Sequence, residues 1–128
     1  MASVNQVLVI SPEQEDHEKI NAAMNKCGLS SICCQKLGEA RSFMTEQKFG
    51  VVFCHDTLPD GDFRSVVSAV KPTPVVVLSR FAEWDRYLAA LSAGAFDYIA
   101  CPPDTAETER ILWSAITSAR EFSAASAH

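Results

Sequence analysis

His55 and Asp56 stand directly after the apolar run Val51-Val52-Phe53-Cys54, and Pro59-Asp60-Gly61 follow after two more residues. An imidazole beside a carboxylate at the end of a buried strand has the groups to hold a proton or a metal, or to accept a phosphoryl group. Two further apolar runs end in reactive groups. Ser79 closes Val75–Ser79 with a hydroxyl, and Cys101 precedes Pro102-Pro103 with a thiol. Ser11, Pro12 and Glu13 follow the first run, Val7 to Ile10. If these runs are neighbouring parallel strands, their ends share one edge, where open α/β sheets build their sites.

The chemistry such a set supports is narrower than its inventory. A histidine and a cysteine meeting at one edge suggest soft-metal binding or redox sensing through His55 and Cys101. A structural zinc site needs four ligands at characteristic spacing, and the chain has no CxxC or HxxxH pair. Cys101 therefore reads as an inert filler. His55 reads as a half-exposed side chain bonded to loop backbone, in preference to a neutral-pH switch paired with Glu13. A strand alternates its faces, so Asp56 should point away from Ser79 and Cys101.

These residues are held by five strand–helix units, which argues an α/β fold with a parallel sheet covered on both faces. The strands fall at residues 7–10, 31–34, 51–54, 75–79 and 96–100. Ser11 as N-cap, Pro12 at the first helical position and Gln14 beyond it predict a first helix. Its inward stripe is Ile20, Ala23, Met24 and Cys27, and Gly28 ends it. The second helix is marked by Ala40, Phe43, Met44 and Gln47. The third, at 62–70, carries Phe63, Val66, Val67 and Val70. The fourth, at 83–93, should turn Leu88 and Leu91 inward. The last, from residue 105, should present Ile111, Leu112, Ala115, Ile116 and Ala119. The acidic run Glu13, Glu15, Asp16 and Glu18 reads as a solvated first turn at the positive end of a helix dipole. One domain over residues 4–122 with a short polar tail at 123–128 is expected.

With 128 residues, 48% hydrophobic and 21% charged, the chain has the composition of an ordinary globular domain. A net charge of −5 argues against a sequence-independent grip on nucleic acid or anionic membrane. No apolar run is long enough to span a bilayer and no signal peptide precedes the first strand, so a cytoplasmic setting with reduced thiols is expected. Five cysteines, an odd number, fit that setting.

The segments LPDG (58–61), PVVVLS (74–79) and AGAFDYIACP (93–102), set within five strand–helix units, resemble the receiver domain of two-component response regulators. The likeness covers nearly the whole chain. It implies a doubly wound, flavodoxin-like five-stranded parallel sheet in the order 2-1-3-4-5. In that family an aspartate four residues before the loop proline accepts the phosphoryl group; that position is His55. Paired acids after the first strand hold Mg²⁺; their positions are Ser11 and Pro12, with Glu13 next. A lysine before a proline after the fifth strand pairs with the phosphoryl group; that position is Cys101. Ser79 and the switch aromatic Tyr98 match.

The resemblance therefore implies an atypical receiver in which conventional aspartyl phosphorylation is lost. No cofactor, weak or absent Mg²⁺ binding and no enzymatic activity are expected. Such a module works through a protein partner or a fused output domain, or as a homodimer through its fourth helix, fifth strand and fifth helix. Trp84, Tyr87, Trp113 and Tyr98 are candidates for that face. No direct contact with nucleic acid or membrane is expected. A phosphorylation-competent regulator using Asp56 stands as the alternative. A flavodoxin-like nucleotide binder is disfavoured, because Pro12 removes a backbone donor and the following acids oppose phosphate.

Overall fold

The computed structural model describes residues 6–81 and 83–126, with side chains as far as residue 117. Strands β1 (Gln6–Ile10), β2 (Ser30–Cys34), β3 (Val51–His55), β4 (Val75–Ser79) and β5 (Asp97–Ala100) form one parallel sheet in the order β2-β1-β3-β4-β5. They alternate with helices α1 (Gln14–Lys26), α2 (Leu37–Glu46), α3 (Phe63–Val70), α4 (Trp84–Ser92) and α5 (Thr105–Ser126). This is the doubly wound order that the sequence led us to expect. No helix among the described residues is long and apolar enough to cross a membrane.

Alternation along each strand sorts its side chains between two cores. Val7, Val9, Val51, Phe53, Leu78 and Ile99 pack with Ile20 and Met24 of α1 and with Ile111, Leu112 and Ile116 of α5. Leu8, Ile10, Val52, Cys54 and Val77 face Leu37 and Ala40 of α2, Val66 and Val67 of α3, and Ala90 of α4. Every residue of β3 except His55 is fully buried, as a central strand covered on both faces requires.

Several local expectations are corrected. The first helix begins at Gln14, with Glu13 in the cap position and no side-chain cap, so Ser11 is not its N-cap. Pro12 holds the preceding residue out of helical geometry. Ser11 is instead buried, donating to Asp16 Oδ2 at 2.7 Å and accepting from the Glu13 amide at 3.1 Å. Asp16 leaves the solvated acidic run altogether and is 1% exposed. It lies one turn before Ile20, so it continues the inward stripe of α1. On α4, Leu88 is exposed and Ala90 is the buried residue, because the helix turns the face of Tyr87, Ala90 and Leu91 toward the sheet. Helix α5 continues through residues 123–126, where a tail was expected. Residues 4, 5, 127 and 128 and the side chain of Ala119 lie outside the described set.

Two glycines are required by backbone geometry. Gly28 ends α1 at φ +73°, and Gly94 ends α4 at φ +105°, where a Cβ would stand 3.0 Å from Val67 Cγ1.

The turn after β3 folds into a short antiparallel ladder, Thr57–Leu58 with Gly61–Asp62. The Asp62 side chain then caps α3 by accepting the Arg64 amide at 3.0 Å. At the tip of the ladder, the Asp60 carboxylate accepts the amides of Leu37 and Gly38 at 2.7 and 2.9 Å. It thereby caps α2 from a different loop. The Gly38 and Leu37 amides hold its carboxyl below the usual carboxylate range. Because the folded-state value is depressed, this contribution is present above the ordinary range and is lost as pH falls through the lowered value. Asp60→Ala is therefore expected to lower the thermal midpoint at neutral pH, with the gap to the parent closing in acid. Melts of both proteins across a pH series check this.

Candidate functional site

The register brings the expected residues to one edge of the sheet. Ile10 lies opposite Cys54, His55 opposite Leu78, and Ser79 opposite Ala100. Ser11, His55, Asp56, Ser79 and Cys101 therefore emerge at neighbouring strand ends. They separate there into two groups, one toward α1 and one toward α4.

On the α1 side, Asp16 is the centre. Its Oδ2 takes the Ser11 hydroxyl, while Oδ1 is buried without a well-formed hydrogen bond. The Cys101 thiol lies near this carboxylate. Burial first, then the Asp16 charge and contact, push that thiol well above its ordinary value, and Arg80 offsets only part of the effect. The thiolate, the form that reacts and binds metal, is thus suppressed. Glu13 is paired with Arg80 at 2.9 Å, joining the loop after β1 to the loop after β4. The alternative pairing of Glu13 with His55, which the sequence disfavoured, does not form.

His55 instead turns into its own loop. Nδ1 is 2.9 Å from the Thr57 carbonyl and 3.2 Å from Asp56 Oδ1, and the side chain is 12% exposed. The Thr57 amide also approaches Nδ1, at 3.3 Å, and Nε2 is buried without a partner. Cys101, engaged by Asp16, is not brought into a ligand set with His55. Among the described residues, no three His, Cys, Asp or Glu side chains come together as metal ligands.

On the α4 side, Asp56 Oδ2 lies 3.5 Å from Arg86 Nη1. Asp56 lines a groove of about 300 Å³ with Val77, Ala90 and Tyr98. It therefore points away from Cys101, as expected, but lies on the same side of the sheet as Tyr98, and not away from Ser79. One residue past the strand end, the pleat carries it opposite Ser79. Ser79 Oγ accepts the Phe81 amide at 3.2 Å, and the Tyr98 hydroxyl donates to the Phe81 carbonyl. Tyr87 meets Tyr98 edge-on with ring centroids 6.1 Å apart, and Trp84 stacks on Tyr87 at 5.3 Å. Trp84 is 70% exposed; Phe81, Leu88 and Trp113 are also exposed.

The sequence reading missed Asp16, Arg80, Phe81 and Arg86. Asp16 had a signal, since it sits four residues before Ile20 on the apolar stripe. The two arginines had none, because each is bonded to a group far away in the chain.

The geometry leads to comparison with known proteins. No protein-family model matches the chain. The solved signal receiver domain of a putative Luxo repressor protein from Vibrio parahaemolyticus superposes with a TM-score of 0.86 at 15% identity, covering 98% of this chain and 100% of that one. This is the response-regulator receiver fold. A beryllofluoride-activated NtrC4 receiver domain dimer matches with a TM-score of 0.81 at 21% identity, over 90% of this chain and 98% of that one. In sequence, the response regulator protein PilR of Pseudomonas aeruginosa is 24% identical over 118 residues, 89% of this chain and 26% of that protein. The chain thus spans about a quarter of the length of the curated relatives it matches. At the carboxyl edge of this sheet stand Ser11, Pro12, His55, Ser79 and Cys101, with the buried Asp16 bonded to Ser11.

Proposed function

We propose that this chain is an atypical receiver domain of a two-component, phosphorelay-type signalling protein, acting through protein contacts without aspartyl phosphorylation. The observation that carries the reading is His55 at the end of β3, hydrogen-bonded to Thr57 where the family keeps its acceptor carboxylate.

The surrounding donors do not fit a hard divalent cation. Mg²⁺ takes carboxylate and water oxygens in near-octahedral geometry. Here Ser11 is committed to Asp16, Pro12 offers no side-chain oxygen, and Glu13 is neutralised by Arg80. A phosphoryl group adds about −1.5 to −2 charges that need cations or donors. Cys101, a protonated thiol, supplies neither charge nor a strong donor. The same suppressed thiol speaks against the redox or soft-metal reading. The domain is accordingly a non-catalytic signalling module.

The face formed by α4, β5 and α5 is the contact surface. It presents Trp84, Tyr87, Tyr98, Ala100 and Glu107 around a shallow depression, with Trp113 exposed further along α5. A partner protein, an output domain on the same polypeptide or a second copy would cover it. The greater length of the curated relatives supports an output domain, and the dimeric neighbour supports a second copy. Its net charge of −5 suits protein contacts better than direct nucleic-acid binding. Its five free cysteines suit the reducing cytoplasm.

The test is thermal stability with and without saturating Mg²⁺ and beryllium fluoride. A binding-competent pocket at about a hundred times the dissociation constant gains roughly 2.7 kcal/mol, a shift of many degrees. No shift is expected here. A midpoint raised by several degrees overturns the reading.

A further inference from the structure

We infer that the Asp56–Arg86 pair is a latch that fixes the first turn of α4, and with it the exposed Trp84–Tyr87 stack, to the end of the central strand. Helix α4 is weakly anchored by its own residues. Among its nine residues only Ala90 is buried, and its cap residue Glu83 makes no side-chain cap. Trp84 is stacked on Tyr87 and otherwise largely open to solvent. What holds the start of this helix is Arg86.

Arg86 binds at three points at once. Its Nη1 reaches Asp56 Oδ2 at 3.5 Å, its Nε reaches Glu83 Oε2 at 3.5 Å, and its guanidinium lies 4.3 Å from the Phe81 ring centroid. Glu83 and Phe81 belong to the helix start and the loop before it. Among the described residues, Asp56 is the group at the end of β3 that pairs with the arginine directly. The carboxylate is in turn braced by His55 Nδ1 at 3.2 Å and by its own amide, which donates to Leu78 O at 2.8 Å. Phe81 is tied to Ser79 and Tyr98, so the arginine links the end of β3 to the β4–α4 loop, to Tyr98 of β5 and to the helix. With the pair open, the first turn keeps the edge contact of Tyr87 with Tyr98 and the contact of Arg86 with Phe81. A segment with so few buried contacts opens locally, far more readily than the sheet does.

The latch needs no phosphoryl donor. A resident carboxylate, one position past His55, supplies the anion at this edge and draws an α4 cation onto it. A partner that offers its own anion to Arg86, or that pulls on the aromatic stack, would release the helix.

The test uses Trp113→Phe as the parent, so that Trp84 is the sole tryptophan. Asp56→Asn, Arg86→Gln and the double variant are compared by amide hydrogen exchange of residues 84–92 and by acrylamide quenching of Trp84. Each single variant is expected to speed α4 exchange about fivefold and to raise Trp84 quenching, leaving β1 and β3 amides unchanged. The double variant should match Arg86→Gln, which already removes the pair. Salt at about 1 M should move the parent toward the variants and leave the variants unmoved. Unchanged α4 exchange in both singles, or effects that multiply in the double variant, overturns the latch. These readouts involve no phosphodonor, so they stand apart from the test of phosphorylation.

Discussion

Phosphoryl uptake from a small phosphodonor with Mg²⁺ is expected to appear only when Ser11→Asp, Pro12→Asp, His55→Asp and Cys101→Lys are made together. Phosphoryl transfer depends on positioning and on electrostatic stabilisation of a group with little covalent help from the protein. Removing a single stabilising donor from such a site costs about 10²–10³ in rate, and at least three of these groups are missing here. The rebuilt chain should therefore exceed its parent by about a thousandfold or more, read as a mass increase of the intact protein. His55→Asp alone should stay inactive. Its new carboxylate would sit beside Asp56 with no metal to offset either charge, and Arg86 is already engaged. Cys101→Lys alone should be well tolerated, because the ammonium would find the buried Asp16 carboxylate. Uptake by the unmodified protein, abolished in Asp56→Ala, would return the acceptor role to Asp56 and overturn the proposed function.

Phe53→Ala should destabilise the protein by about 3–5 kcal/mol, while Trp84→Ala should change stability by about 0.5 kcal/mol or less. Phe53 is fully buried in the central strand, packed among side chains of α1 and α5. Its loss removes a large apolar contact and leaves a cavity that the sheet closes poorly. Set against a total of roughly 5–15 kcal/mol, that is a midpoint drop of roughly 15 °C. Trp84, although larger, is 70% exposed and covers little of the core. Denaturant titrations with matching slopes separate the two cases. The contrast bears on function as well as stability. A large aromatic that folding does not need is available to a partner, whereas a Trp84→Ala cost above about 2 kcal/mol would make it part of the core.

The strands were legible because burial on both faces writes itself into consecutive residues. Val51 to Cys54 and Val75 to Leu78 can be nothing but interior, and they are fully or almost fully buried. The position of His55 followed from the same run, since the first polar residue after a central strand lies at its carboxyl edge. The sheet order came from the resemblance, and the hydrogen-bonded register bears it out. Helix faces were less secure where the stripe was short. On α4, moving the stripe by one position from Leu88 to Tyr87 and Ala90 reverses which residues meet the sheet, and local spacing hardly separates the two.

By itself, then, the sequence determined the α/β architecture, the edge at which polar groups gather and the identity of each group there. Tertiary structure decided their partners. Asp16 faces inward beside Cys101, Glu13 meets Arg80, Asp56 meets Arg86, and Asp60 caps a helix that precedes it in the chain. The reason is that apolar burial is read from neighbours along the chain. A charged side chain is neutralised by whichever opposite group the fold brings within a few ångströms, and that distance is set by the packing of whole elements.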